Sequence, residues 1–159
     1  MKAKNREVII LIAEDDEGHA RLIQKNLTRG GLHNPIHRFD NGQAVLDYLH
    51  RRGPAPHRAA DTPYLLLLDI RMPRLDGVEV LRQIKEDAEL RKIPVIMLTT
   101  TDDPREVERC HAIGCASYIV KPVDYDKFAE AIKGLGMYIS LVEVPEIDGI
   151  KTGMNVESP

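Results

Sequence analysis

The sequence predicts a doubly wound α/β domain built on a parallel sheet. Five short apolar runs bounded by turn residues alternate with five stretches of helical periodicity. The central run, LLLL at 65–68, shows no polar alternation, which fits a strand covered on both faces. Periodicity alone leaves a short buried helix segment open for that run. An aspartate, Asp69, then closes it.

The strand-like runs lie at 8–12, 36–39, 64–68, 95–98 and 117–120. A first helical stripe, Ala20, Ile23 and Leu27, follows Asp16, which suits a helix cap. The second is Val45, Leu46 and Leu49, and the third is Val80, Leu81 and Ile84, opened by the turn-forming Asp76-Gly77. The fourth, Val107, Cys110 and Ile113, starts at Asp103-Pro104 and stops at Gly114. The fifth is Phe128, Ala131, Ile132 and Leu135. At this length the expected fold is the flavodoxin-like (βα)5 arrangement, strand order 2-1-3-4-5. The Pro-containing stretch at 51–63 reads as a solvated connection.

After the fifth stripe the pattern changes. Met137, Tyr138, Ile139, Leu141, Val142 and Val144 crowd together, and a single-sided helix cannot bury them all. The expectation is a self-complementary patch, Met137, Tyr138, Ile139 and Leu141, that closes a two-fold homodimer. The alternative is that the chain folds back over its own surface. The predicted organisation is a domain over 1–141 and an acidic tail over 142–159, largely disordered from 146 or contacting a partner.

Composition narrows the function. Forty-three per cent hydrophobic and 30% charged residues are ordinary for a soluble domain, and the net charge is -3. That charge falls entirely in 142–159 (four acids against Lys151), so 1–141 sums to zero. Bulk attraction to DNA or to an anionic membrane is not expected. No run approaches the ~18 apolar residues of a membrane span. Cys110 and Cys115 fit no disulfide or zinc spacing and read as thiols of a cytoplasmic protein. His33 and His37 are separated by Pro35 and do not share a helix face, so a metal site there is not expected.

Asp69 by itself reads equally well as a site carboxylate and as a cap or turn former. The other strand ends break the tie. Glu14, Asp15 and Asp16 follow the first strand, Thr99, Thr100 and Thr101 the fourth, and Lys121-Pro122 the fifth. One sheet edge therefore collects acids, a hydroxyl and an amine, where α/β folds place their ligands. Converging carboxylates repel, and burial raises their pKa values. A hard divalent cation such as Mg²⁺ removes that cost. It also makes one carboxylate a feasible nucleophile toward phosphorus. Lys121, Thr99 and Thr100 would then bind phosphoryl oxygens.

The acids of LIAEDD, the segment DIRMPRLDG, the threonine of IMLTT and YIVKP together resemble the receiver domain of bacterial two-component response regulators, over roughly 6–140. The resemblance implies that Asp69 is the phosphoacceptor. It implies Mg²⁺ (or Mn²⁺) held by Asp15, Asp69 and the backbone carbonyl of Arg71, with Glu14 acting directly or through water. It implies that Tyr118 is an aromatic switch residue paired with Thr99, and a cis peptide is frequent in that family before the proline that matches Pro122. The partner so implied is a sensor histidine kinase. The long 51–63 connection and the C-terminal tail look similar to the stand-alone regulators that partner bacterial phytochrome kinases.

Three rival readings make distinct demands. A flavodoxin needs a phosphate-binding loop of backbone donors after the first strand, where this chain has EDDEG. A phosphatase of the haloacid dehalogenase type needs a second aspartate two residues after the nucleophile, where Arg71 stands. A pseudo-receiver that never takes phosphate usually lacks a key acid, the threonine or the lysine, and all are here. The 18 residues after Leu141 are too few for a helix-turn-helix, so the expected output is a protein contact or phosphotransfer step rather than DNA binding, and no enzymatic turnover beyond the chain's own phosphorylation and dephosphorylation is expected.

Overall fold

The computed structural model describes residues 7–148. Parallel strands β1 (Ile9–Ala13), β2 (Ile36–Phe39), β3 (Thr62–Leu68), β4 (Val95–Thr99) and β5 (Ser117–Val120) lie in the order 2-1-3-4-5. Helices α1 (Glu17–Arg29), α2 (Gly42–His50), α3 (Gly77–Glu86), α4 (Pro104–Ile113) and α5 (Tyr125–Ile139) connect and follow them. This is the flavodoxin-like architecture expected.

The leucine run has a direct physical account. Side chains alternate across a strand, so Leu65 and Leu67 join Ile10, Ile12, Ile96 and Leu98 in a core beneath α1 and α5. Leu66 and Leu68 join Leu11, Ala13, Val95 and Met97 in a second core beneath α2, α3 and α4. Each face is apolar, so the strand is apolar throughout.

The helix boundaries follow their caps. Asp16 Oδ1 accepts from His19 N at 2.9 Å, Asp76 Oδ1 from Glu79 N at 3.0 Å, and Asp103 Oδ1 from Arg105 N at 2.9 Å. Gly114, at φ 127°, closes α4 in a conformation that side chains rarely adopt.

Four expectations are corrected. Ala131 is exposed, and Ala129 takes its place in the buried stripe of α5. The same stripe runs on through Leu135 to Ile139, which is 3% exposed and so does not belong to an outer patch. Its position four residues after Leu135 puts it on the inward face. The expected dimer surface therefore shrinks to Met137, Tyr138 and Leu141, at 54%, 58% and 82% exposure. Residues 146–148, expected to be disordered, take part in the fold, and before them Val142 and Val144 pack on the α1–α5 side of the sheet. A sixth strand, β6 (Glu146–Ile147), pairs antiparallel with Thr62 and Pro63 and buries Ile147 completely. Burial of that isoleucine and the pairing of Asp148 with Arg51 and Arg58 outweigh the acidic composition. The peptide before Pro122 is trans, and the cis bond among the described residues is Ala55–Pro56. The remaining tail, 149–159, lies outside the described residues.

The 51–63 connection is anchored rather than loose. Arg58 Nε donates to Leu49 O at 2.7 Å, and Ala59 N donates to the Tyr64 hydroxyl at 2.7 Å.

Candidate functional site

Register brings the acids together. Ala13 pairs with Leu68, and Asp69 N donates to Ala13 O at 3.1 Å. Glu14 and Asp69 are thus the first residues past the ends of two adjacent strands. Suitable oxygens of Glu14, Asp15 and Asp69 all lie within 4.8 Å of one another.

Glu14 is 2% exposed, Asp69 7% and Lys121 5%, an unusual burial for charged side chains. Each has partners. Lys121 Nζ donates to Glu14 Oε1 at 2.6 Å and to Asp69 Oδ2 at 3.4 Å, with His19 Nδ1 at 3.1 Å. Glu14 Oε2 accepts from Asp16 N at 3.1 Å, and Asp69 Oδ1 from Ile70 N at 2.7 Å. Burial raises the Glu14 pKa to about 7, against the opposing pull of Lys121. With all groups ionised, three carboxylates and one ammonium leave two negative charges, the complement of a divalent cation. Hard oxygen donors are also what Mg²⁺ or Mn²⁺ takes. The donor set fits such an ion.

Asp15 opens this cluster to a cleft of about 640 Å³ lined also by Ile70, Arg71, Met72, Asp76, Thr101, Asp103 and Glu106. Arg71 Nε reaches Thr101 Oγ1 at 3.4 Å across it. Thr99 ends β4 and is fully buried, its hydroxyl accepting from Thr101 N at 3.4 Å. Thr100 is exposed, and Thr101 rather than Thr100 lines the cleft. Tyr118 is half-buried, and its hydroxyl donates to Thr101 O at 2.7 Å. Thr101 thereby links Thr99 to Tyr118.

The floor of the site depends on close backbone approach. A Cβ on Gly77 would lie 2.0 Å from Asp69 O, and Gly77 N donates to Ile70 O at 2.8 Å. The turn signal Asp76-Gly77 thus also lets α3 start against the aspartate.

Two neighbours of the site were not legible in the motifs. His19, in the first turn of α1, reaches Lys121, and its ring meets Phe128 edge-on at 5.8 Å. Arg38, on β2, reaches the carbonyls of Glu14 and Asp15. The pairing of Ala13 with Phe39 is the signal that would have placed it there.

Comparison with known proteins agrees with this geometry. Residues 10–133 match the family model described as response regulator receiver domain. A probable methanogenesis regulatory protein, FilR2 of Methanothrix harundinacea, is 36% identical over 82% of this chain and 82% of its own. The response regulator Rcp1 of a Synechocystis strain is 28% identical over 89% of this chain and 95% of its own. Its Mn²⁺-bound crystal structure superposes with a TM-score of 0.77, at 27% identity over 86% and 98% of the two chains. A receiver domain from Rhodospirillum rubrum gives 0.83, at 44% identity over 89% and 99%. The phosphorylated cyanobacterial phytochrome response regulator RcpA gives 0.78, at 29% identity over 89% and 99%. With the fold, the strand-end carboxylates and the family match in accord, this chain belongs to the response regulator receiver domain family.

Proposed function

We propose that Asp69 accepts a phosphoryl group from the phosphohistidine of a sensor histidine kinase, in a reaction that needs Mg²⁺ or Mn²⁺. One observation carries this reading: a buried aspartate at the end of β3 shares a cluster with two further carboxylates and with Lys121. A carboxylate oxygen of Asp69 attacks phosphorus, the N–P bond breaks, and its electron pair returns to the kinase imidazole. Glu14, Asp15, Asp69 and the Arg71 carbonyl would hold the cation, which supplies charge neutralisation between nucleophile and phosphoryl group.

The chain's own side chains complete the site. Lys121 leaves its carboxylate partners to donate to the phosphoryl oxygens as a charged group. The Thr99 hydroxyl donates to another of them. Its movement draws on Thr101, to which Tyr118 is tied in this resting arrangement. Tyr118 then turns inward, and the surface of α4, β5 and α5 changes. Output is a protein contact. Met137, Tyr138 and Leu141 form the remaining exposed patch near the end of α5, and a homodimer through it is part of this reading. The named likeness to RcpA supports a phytochrome as the kinase partner.

The test is incubation with acetyl phosphate and Mg²⁺. One acid-stable, base-labile phosphoryl group per chain is expected, and none without the metal. Labelling that ignores chelation of the metal would overturn the proposed chemistry. A phosphotransfer panel that includes a phytochrome kinase then tests the partner, whose expected signature is faster transfer than from the other kinases.

A further inference from the structure

We propose that Arg38 is a positioning residue for the acidic cluster, clamping the backbone of Glu14 and Asp15 and so setting how tightly the cluster holds a divalent cation. The inference rests on reading that cluster as a cation site.

The strand ladder ends just before the acids. Glu14 N still donates to Phe39 O at 3.0 Å, the last rung between β1 and β2. Beyond it the carbonyls are met by a side chain. Arg38 Nε and Nη2 donate to Glu14 O at 3.0 and 2.9 Å, and Nη2 also donates to Asp15 O at 3.2 Å. Two donors of one planar group on one oxygen fix a direction as well as a distance. A third contact on the next carbonyl fixes the intervening peptide.

That peptide carries the site's least supported ligand. Glu14 is buried and its two oxygens accept from Lys121 and Asp16 N. Asp69 is buried beside Lys121. Asp15 is exposed, so the direction of its carboxylate depends on the backbone that bears it. Groups that orient metal ligands from behind typically change affinity by about 10–100-fold when removed. Arg38 acts on the backbone rather than on a ligand atom, which points to the low end of that range. Its positive charge works against the clamp, because it disfavours a nearby cation. Lysine at this position keeps the charge and loses the fork, so Arg38→Lys separates the two effects.

The experiment is Mn²⁺ binding to the full chain without phosphodonor, read from the free-ion EPR signal. Arg38→Lys is expected to raise the Kd about tenfold, and Arg38→Ala to raise it by a smaller factor because it also removes the opposing charge. Acetyl phosphate labelling of both should fall at limiting Mg²⁺ and return to the wild-type rate at saturation, a split that general loosening of the fold would not give. A Kd for Arg38→Lys equal to or tighter than wild type overturns the clamp. If the alanine variant loses its circular dichroism signal, the lysine variant decides. A wild-type chain that binds no Mn²⁺ would instead defeat the underlying cation site, and the clamp with it.

Discussion

Lys121 Nζ lies 2.6 Å from Glu14 Oε1 and 3.4 Å from Asp69 Oδ2, so one buried ammonium bridges carboxylates from two strand ends. Replacing it with methionine removes the group that opposes the burial-driven rise of the Glu14 pKa, already at about 7. A carboxyl raised in the folded state binds its proton more readily there than when unfolded. Its contribution to stability is therefore fully present at low pH and is lost as pH rises through the folded value. Lys121→Met extends that loss to higher pH. Urea midpoints of metal-free protein should drop more for the variant than for wild type between about pH 6 and about pH 9. Equal drops would contradict the account of the pair.

Thr99 and Tyr118 meet through Thr101, whose N–H faces the Thr99 hydroxyl and whose carbonyl accepts from Tyr118. A population shift needs a contact that differs between two states, and in the proposed mechanism the Thr99 hydroxyl is that contact. Thr99→Val should still take phosphate from acetyl phosphate. Its Tyr118 ring resonances should then stay at the unphosphorylated positions on adding phosphate, whereas those of wild type move. A wild-type-like shift in the variant would remove Thr99 from the switch.

Gly77 brings the first residue of α3 so near Asp69 that a methyl group would fall 2.0 Å from the aspartate's carbonyl oxygen. Backbone on both sides must move to admit it. Overpacking of this kind costs about 1–3 kcal/mol, and here the displaced backbone bears Asp69, the proposed nucleophile. Gly77→Ala should lose stability in that range in urea titrations and label more slowly at saturating metal. Unchanged stability and rate would show that the approach is dispensable.

Asp148 holds the C-terminal arm, pairing with Arg58 at 2.8 Å and Arg51 at 3.1 Å. Hydrogen bonding and charge from Arg58 keep its carboxyl below the usual range. Its contribution is thus present at neutral pH and lost as pH falls through that lowered value. Arg58 is largely buried, so Asp148→Ala leaves a shielded cation without this partner. A loss of about 1 kcal/mol is expected for a pair that is only partly shielded. Faster amide exchange at Ile147 and at position 148 should accompany it. Unaltered exchange there would show that β6 holds without the ion pair.

The strands, Asp69 and the helix caps were legible because each is a local signal. A strand buried on both faces must be apolar, and a charge at its end then stands out, as Asp69 does after Leu68. The phase of α5 was harder to read, because Ala129 and Ala131 are equally apolar and only contact with α1 and the sheet separates them. The arm was misread because Ile147 finds its strand partner at Thr62 and Asp148 its cation at Arg58, far away in sequence. Arg38 and His19 carry no motif, and their contacts with the site emerge only from register and helix phase.

The central claim is that phosphate goes to Asp69, and trapping tests it most directly. Protein labelled with acetyl phosphate and Mg²⁺ is treated with borohydride, which reduces an aspartyl phosphate to homoserine, and the peptides are read by mass spectrometry. The account predicts homoserine at residue 69 alone and no labelling of Asp69→Asn under the same conditions. Homoserine at residue 14, 15 or 16 in the wild-type chain, or full labelling of Asp69→Asn, would contradict it.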